Sequence, residues 1–453
     1  MSIFSGGRMM KQRTTGSRRS ALALAVALTP IAGAYADNHT DDRIAALEKQ
    51  VQMLTEMLKS QQNQIQVTTE RLDIDEKKIA SNTASADEAH MTATGTKLSY
   101  GGFIKVDSIA TSYSEGKPSN GLIEDFMVPS LIPVSDGSGE SYQAYNLHAK
   151  TSRFFLKTAT QTDVGTISTN FEMDFAVGGQ GNERVSNSWA NRMRHAYVKW
   201  QYAEDSSLLA GQTWSTFFNV ATLPANLDFV GPVGTIFNRQ PMIRITTGPW
   251  MFAVENPRTR LNGEPHDDFS EGIPDLVARY NGKSGGLAWS LAGIARQLTY
   301  DNGSTDDSVA GYGLSLSGKY VMGAADIRFG ANYGDALGRY LGINAFNDGY
   351  IANDGSIETF DQMGAFVAYR RSFSDQWSGG VTLSMAEADN PSVAEYAAAQ
   401  TLAKSYQTGH VNLIWSPTKK MSIGGELVYG TKELENGNDG SMTRLQMTVK
   451  YGI

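Results

Sequence analysis

The chain contains no cysteine, which excludes a disulfide framework and any thiolate metal site. It contains no stretch of eighteen consecutive apolar residues, so it offers no predicted helix able to cross a bilayer. Positive charge is scarce beyond the start. The formal charge is −8, and the first 36 residues hold Arg8, Lys11, Arg13, Arg18 and Arg19 with no acid, leaving −13 on the remainder. That balance argues against a nucleic-acid partner. The six histidines are scattered, and no reading of the chain calls for a cofactor or a metal.

What is present is glycine, with 46 residues, and aromatic side chains at 10%, in a chain of 453 residues that is only 41% hydrophobic. This composition suits a glycine-rich all-β chain. Residues 1–36 read as a signal peptide: a basic start, the apolar "ALALAVAL" at 21–28, then "AYA" at 34–36 before Asp37, with cleavage expected after Ala36. Residues 37–96 read as a coiled coil and linker. Asp37 to Thr94 lacks glycine, proline and Phe, Trp or Tyr, and Ile44, Leu47, Val51, Leu54, Leu58 and Ile65 take heptad a and d positions. Gln61 and Thr68 then fall on d positions, so the seam weakens toward its end. A narrow stripe of this kind favours oligomerisation.

From Lys97 to Ile453 the texture changes to sixteen short alternating runs divided by Gly, Asn, Asp and Ser clusters. Each is about as long as a tilted membrane strand, roughly 9 to 11 residues. Long connections, such as 111–144, 177–190, 217–237 and 335–360, alternate with short ones such as "TGP" at 247–249 and "FSDQ" at 373–376. An outer-membrane barrel has that asymmetry, with long external loops and short periplasmic turns. Runs before short turns end in Tyr197, Tyr280, Tyr320, Tyr369, Trp415 and Tyr451, which is the expected placing of an aromatic girdle. The predicted fold is therefore all-β: a 16-stranded antiparallel transmembrane barrel over 97–453, behind an N-terminal α-helical coiled coil.

The stretch "NRMRHAYVKW" at 191–200 sets Arg192 and Arg194 two positions apart. Period two places both on one face, opposite Met193, His195 and Tyr197. Cationic side chains on the lipid face cost roughly 2–4 kcal/mol near mid-membrane, so the charged face points into a polar, water-filled lumen. The same phase turns Arg244, Arg296, Arg328, Glu172, Asp174 and Glu426 inward. Arg153, Lys157, Arg192, Arg194, Arg239 and Arg244 all come from runs two, four and six, around the connection 217–237. If that connection folds inward, its narrowest point faces a basic wall that attracts small anions. The bland alternative is that these arginines neutralise Glu172 and Asp174.

Rival functions are weaker. "GKSGG" at 282–286 fits a nucleophile-elbow string, but that motif needs a strand-to-helix turn, and here it lies between two strands. An outer-membrane hydrolase built on His410 and a nearby serine, and a trimeric tether or adhesin using the stalk, are the alternatives.

"SRFFLKT" (152–158), "NRMRHAYVKW" (191–200), "LLAGQTWSTFFN" (208–219), "DFVGPVG" (228–234), "NRQPMIRIT" (238–246) and "VENP" (254–257) resemble the DcaP family of porins. The resemblance covers stalk and barrel. It implies a homotrimer of sixteen-stranded barrels in the outer membrane of a Gram-negative bacterium, contact with membrane lipid and lipopolysaccharide, a three-stranded periplasmic stalk, and passage of small anionic solutes such as dicarboxylates. By motif position it places Arg192, Arg194, Arg239 and Arg244 on the basic side of the constriction, with Trp214 and Asp228 on the inward loop. One departure is the final Ile453, where such barrels usually end in phenylalanine.

Overall fold

The computed structural model describes residues 95–177, 181–182, 187–263, 272–301 and 306–453, together with Gln52, residues 89–91 and Gly303. The chain divides into two units after Asn63. The expected signal peptide and, apart from Gln52, the heptad segment 44–68 lie outside the described residues. Within the linker, Ala89–Met91 forms a short strand paired antiparallel with residues 97–99.

Sixteen barrel strands follow in chain order: β1 (Lys97–Tyr113), β2 in two pieces (Tyr142–His148 and Arg153–Thr162), β3 (Gly165–Asp174), β4 (Arg192–Ala203), β5 (Ser206–Trp214), β6 (Arg239–Thr247), β7 (Trp250–Glu255) and β8 (Asp275–Ser284), then β9 (Leu287–Asp301), β10 (Asp306–Met322), β11 (Ala325–Asp335), β12 (Asp361–Ser372), β13 (Trp377–Ala388), β14 (Ala403–Trp415), β15 (Met421–Leu434) and β16 (Asp439–Gly452). Each pairs antiparallel with the next, and β16 returns onto β1 from Phe103↔Gly452 to Tyr113↔Met442. Closure removes both sheet edges, the one arrangement in which strands satisfy their backbone groups in hydrocarbon. The break inside β2 is itself satisfied: the Lys105 amide donates to Ser152 Oγ at 3.0 Å, and the Thr151 hydroxyl donates to Asp107 at 2.9 Å.

The period-two reading sets the two faces. On β16, Leu445 is 51% exposed while its neighbours Arg444 and Gln446 are 0% and 2%. Leu314, Leu316, Val367, Leu383, Val411 and Leu413 continue the exposed apolar band around the wall. At the short-turn end, aromatic rings meet in pairs on that outer face, Trp250 with Tyr280 at 4.9 Å and Trp377 with Trp415 at 6.2 Å.

Three expectations need correction. First, β4 does not keep one phase. Glu172 faces His195 and Met173 faces Met193, so Arg194 is the extra residue of a β-bulge. A bulge shifts every later side chain to the other face, so Arg194 and His195 are both buried inside while Val198 and Trp200 face out. His195 and Tyr197 thus share the luminal face with the arginines, and Trp200 and Tyr202 replace Tyr197 in the girdle. Second, connections do not alternate strictly: at the long-loop end, only residues 302–305 and 435–438 separate their flanking strands, because those strands run on past the apolar band. Third, the lumen is not polar throughout. Connections 114–141, 215–238 and 336–360 bring Phe126, Met127, Phe217, Phe218, Ile236, Leu337, Tyr340 and Leu341 inside, where they form buried apolar clusters.

Candidate functional site

The third long connection folds inward. It leaves β5 through Trp214, where Ser215 Oγ and the Thr216 amide both donate to Glu255, at 2.7 and 2.6 Å. Asn219 caps a short 3-10 turn over Val220–Thr222 by accepting from the Ala221 amide at 3.2 Å. From there the segment crosses the lumen to the far wall. Asn412 on β14 donates to Ala225 O at 3.1 Å, the Gly234 amide donates to Ser384 on β13 at 2.7 Å, and Asn332 on β11 donates to Gly234 O at 2.8 Å. Pro224 and Pro232 need no amide partner, and Gly234 allows the approach: a Cβ there would sit 2.2 Å from Ala365 O. On its return the segment is stitched to connection 336–360, with Phe237 N donating to Tyr340 O and Gly342 N to Thr235 O, both at 2.9 Å.

The predicted site residues divide by what they touch. Arg192 and Arg194 are ion-paired on the wall. Arg192 binds both oxygens of Asp174, and Arg194 reaches Glu172 at 2.8 Å and Asp174 at 2.6 Å while only 3% exposed. Phe229, at the loop tip, lies over both guanidinium groups at 5.8 and 5.4 Å. Arg296 is buried between Asp275 and Asp348 and donates to Ala336 O and Arg258 O, so it fastens external segments. Arg328 pairs with Asp326 at 2.7 Å and donates to Leu223 O. Arg244 donates to Thr216 Oγ1 at 2.8 Å and to Trp214 O. Asp228, also buried, accepts from the Met127 and Val230 amides at 2.9 and 3.0 Å. The contacts of these last four residues hold loops rather than face a passage.

Arg239, Arg153 and Lys157 differ. Arg239 stacks on Trp214 at 4.5 Å, has no ion pair among the described residues, and leaves Nη1 without a hydrogen-bond partner. It lies close enough to Arg192, Arg194 and Arg153 for mutual repulsion, and Asp174 is near enough to offset part of it without forming an ion pair. Arg153 is 3.4 Å from Glu172, but its Nε has no hydrogen-bond partner. Lys157 lies 4.4 Å over the Phe155 ring, without an ion pair among the described residues. His195, which the phase argument had placed on the wrong face, donates to or accepts from Thr213 Oγ1 at 3.0 Å and packs edge-on to Trp214. No local signal in the sequence marks the bulge that turns it inward.

The hydrolase reading finds no support in this geometry. His410 is buried with Nδ1 on Glu426 at 3.2 Å, and among the described residues no serine hydroxyl bonds to it. "GKSGG" forms the tight turn between β8 and β9, with Gly285 in the left-handed region at φ +55°.

Comparison with solved structures finds the same fold in outer-membrane channels. It is similar to the outer membrane channel DcaP of Acinetobacter baumannii, with TM-score 0.67 and 22% identity over 80% of this chain and 99% of that one. It is similar in fold to an anion-selective porin from Comamonas acidovorans, with TM-score 0.50 and 12% identity over 79% of this chain and 100% of that one. Among curated sequences none matches. A family described as DcaP outer membrane protein matches residues 25–453. The chain belongs to the DcaP family, the outer-membrane β-barrel channels of Gram-negative bacteria.

Proposed function

We propose that this channel gives diffusive uptake of small anions, dicarboxylates among them, past the inward loop and a basic wall. In this reading it works as a homotrimer, with residues 37–96 as a periplasmic coiled coil behind a cleaved signal peptide. The observation that carries the anion preference is Arg239, a guanidinium on an aromatic ring, among other arginines, with no carboxylate paired to it among the described residues. A cation without an ion pair between low-dielectric walls concentrates anions, and a guanidinium fork suits a carboxylate through paired hydrogen bonds. Arg153 and Lys157 extend the field. Arg192 and Arg194 contribute less, because Glu172 and Asp174 cancel them.

The test is the reversal potential of purified protein in a planar bilayer across a salt gradient. The expected sign is that of an anion-preferring channel. Arg239→Gln should move the potential toward zero and slow dicarboxylate entry into liposomes, with the barrel assembled as before. A cation-preferring potential in the unaltered protein would end this reading.

A further inference from the structure

The inward loop is held by a side chain with no role so far. Glu426 lies on β15, faces the lumen and is 1% exposed. Its carboxylate accepts from four groups: the Leu227 amide at 2.8 Å, the Asp228 amide at 3.1 Å, Asn412 Nδ2 at 2.9 Å and His410 Nδ1 at 3.2 Å. The first two are successive amides at the tip of the loop, one on each oxygen of the carboxylate: Leu227 N on Oε2 and Asp228 N on Oε1. Consecutive N–H groups placed in this way make an anion-binding concavity, and a carboxylate accepting from them forms bonds about twice as strong as neutral ones.

Other contacts of the tip depend on the same seating. Leu227 O accepts from Lys105 Nζ at 2.8 Å and from Gln446 Nε2 at 3.1 Å. Asp228, seated by its amide on Glu426, accepts from the Met127 amide and so ties connection 114–141 to the tip. Gly424, on the same strand, makes room for this: a Cβ there would lie 2.9 Å from Leu227 Cδ1. The Glu426 carboxylate therefore sits at the junction of β14, β15 and the two inward connections.

We propose that Glu426 is the positioning residue of the channel. Its carboxylate fills the amide concavity of the loop tip and fixes the loop against the β15 wall, and losing it frees the tip to swing and changes the width of the passage. This holds whichever ions the passage prefers, so it stands or falls apart from the anion reading.

The experiment compares single channels of the full-length protein and Glu426→Ala in planar bilayers, in chloride alone and with part of the chloride replaced by formate. Glu426→Ala should give a heat-modifiable barrel whose open-channel current is severalfold noisier, with added sublevels. Formate should restore a quiet current, because it carries the missing carboxylate into the vacated concavity. A variant as quiet as the original, or noise that formate leaves untouched, would overturn the proposal. Hydrogen exchange of the unaltered barrel gives a second arm should the variant fail to assemble. Residues 223–230 should exchange roughly ten- to a hundredfold more slowly than the tight external turn 435–438, as charge-assisted amide bonds require. Equal exchange in the two segments would also overturn it.

Discussion

Arg192 and Asp174 face each other across β4 and β3, with Nε and Nη2 of the guanidinium donating to the two carboxylate oxygens at 3.0 and 2.9 Å. Arg194, on the far side of Met193, reaches the same Asp174 and Glu172 as well. Two arginines that alternation marks as a cationic stripe are thus half of a neutral network on the wall. Arg194→Ala should leave the buried Glu172 without its shortest ion pair and Asp174 with Arg192 alone, a loss of about 3–5 kcal/mol. The expected outcome is a lower melting temperature of the heat-modifiable barrel with little change in reversal potential. Replacing both arginines by glutamate should reduce folded yield before it alters selectivity, since four carboxylates would then share the site.

The lipid face gives a second expectation. Leu445→Arg puts a guanidinium in the exposed apolar band, at roughly 2–4 kcal/mol near mid-membrane. Lys450→Arg, on the inward face of the same strand, keeps its charge where a charge already stands. Assembly in vitro into liposomes, followed by gel mobility, should fall sharply for the first and hold for the second. Equal yields would mean that the strand phase is wrong.

Gly234 allows the inward loop to meet the wall. Gly234→Ala would place a methyl group 2.2–2.5 Å from Ala365 O, Met385 O and Ala365 N, all of them backbone atoms. The loop must then retreat, weakening the bonds to Ser384 and Asn332, at about 1–3 kcal/mol for an overpacked contact. Altered single-channel conductance in a correctly folded barrel is the expected result, and wild-type conductance would show that the loop does not set the passage.

The heptads at 44–65 yield a fourth test. Deleting residues 41–66 removes no barrel strand, so the barrel should fold and conduct as before. If the segment joins protomers, cross-linking should recover fewer trimers, and Leu54→Asp should act in the same direction by burying an unpaired carboxylate in the seam. Trimers of undiminished stability would remove the stalk from the account of assembly.

The sequence by itself determined the wall. Strand number, antiparallel order and the inward or outward sense of residues such as Leu445, Arg444, Ile327 and Arg328 follow from period-two alternation, because lipid on one side admits only apolar side chains. The turn residues between strands marked the short end for the same local reason. What fills the barrel was decided only by tertiary structure. Leu227 and Glu426 stand far apart in the chain, and their bond exists only because closure brings β15 opposite β5, from which the inward loop departs. Likewise nothing near Arg194 announces the bulge that sends His195 inward, since a bulge depends on the partner strand as well as its own. Whether an inward arginine faces a passing anion or a fixed carboxylate is a matter of register between neighbouring strands. That is why Arg192 and Arg239 look alike in the sequence and differ in the fold.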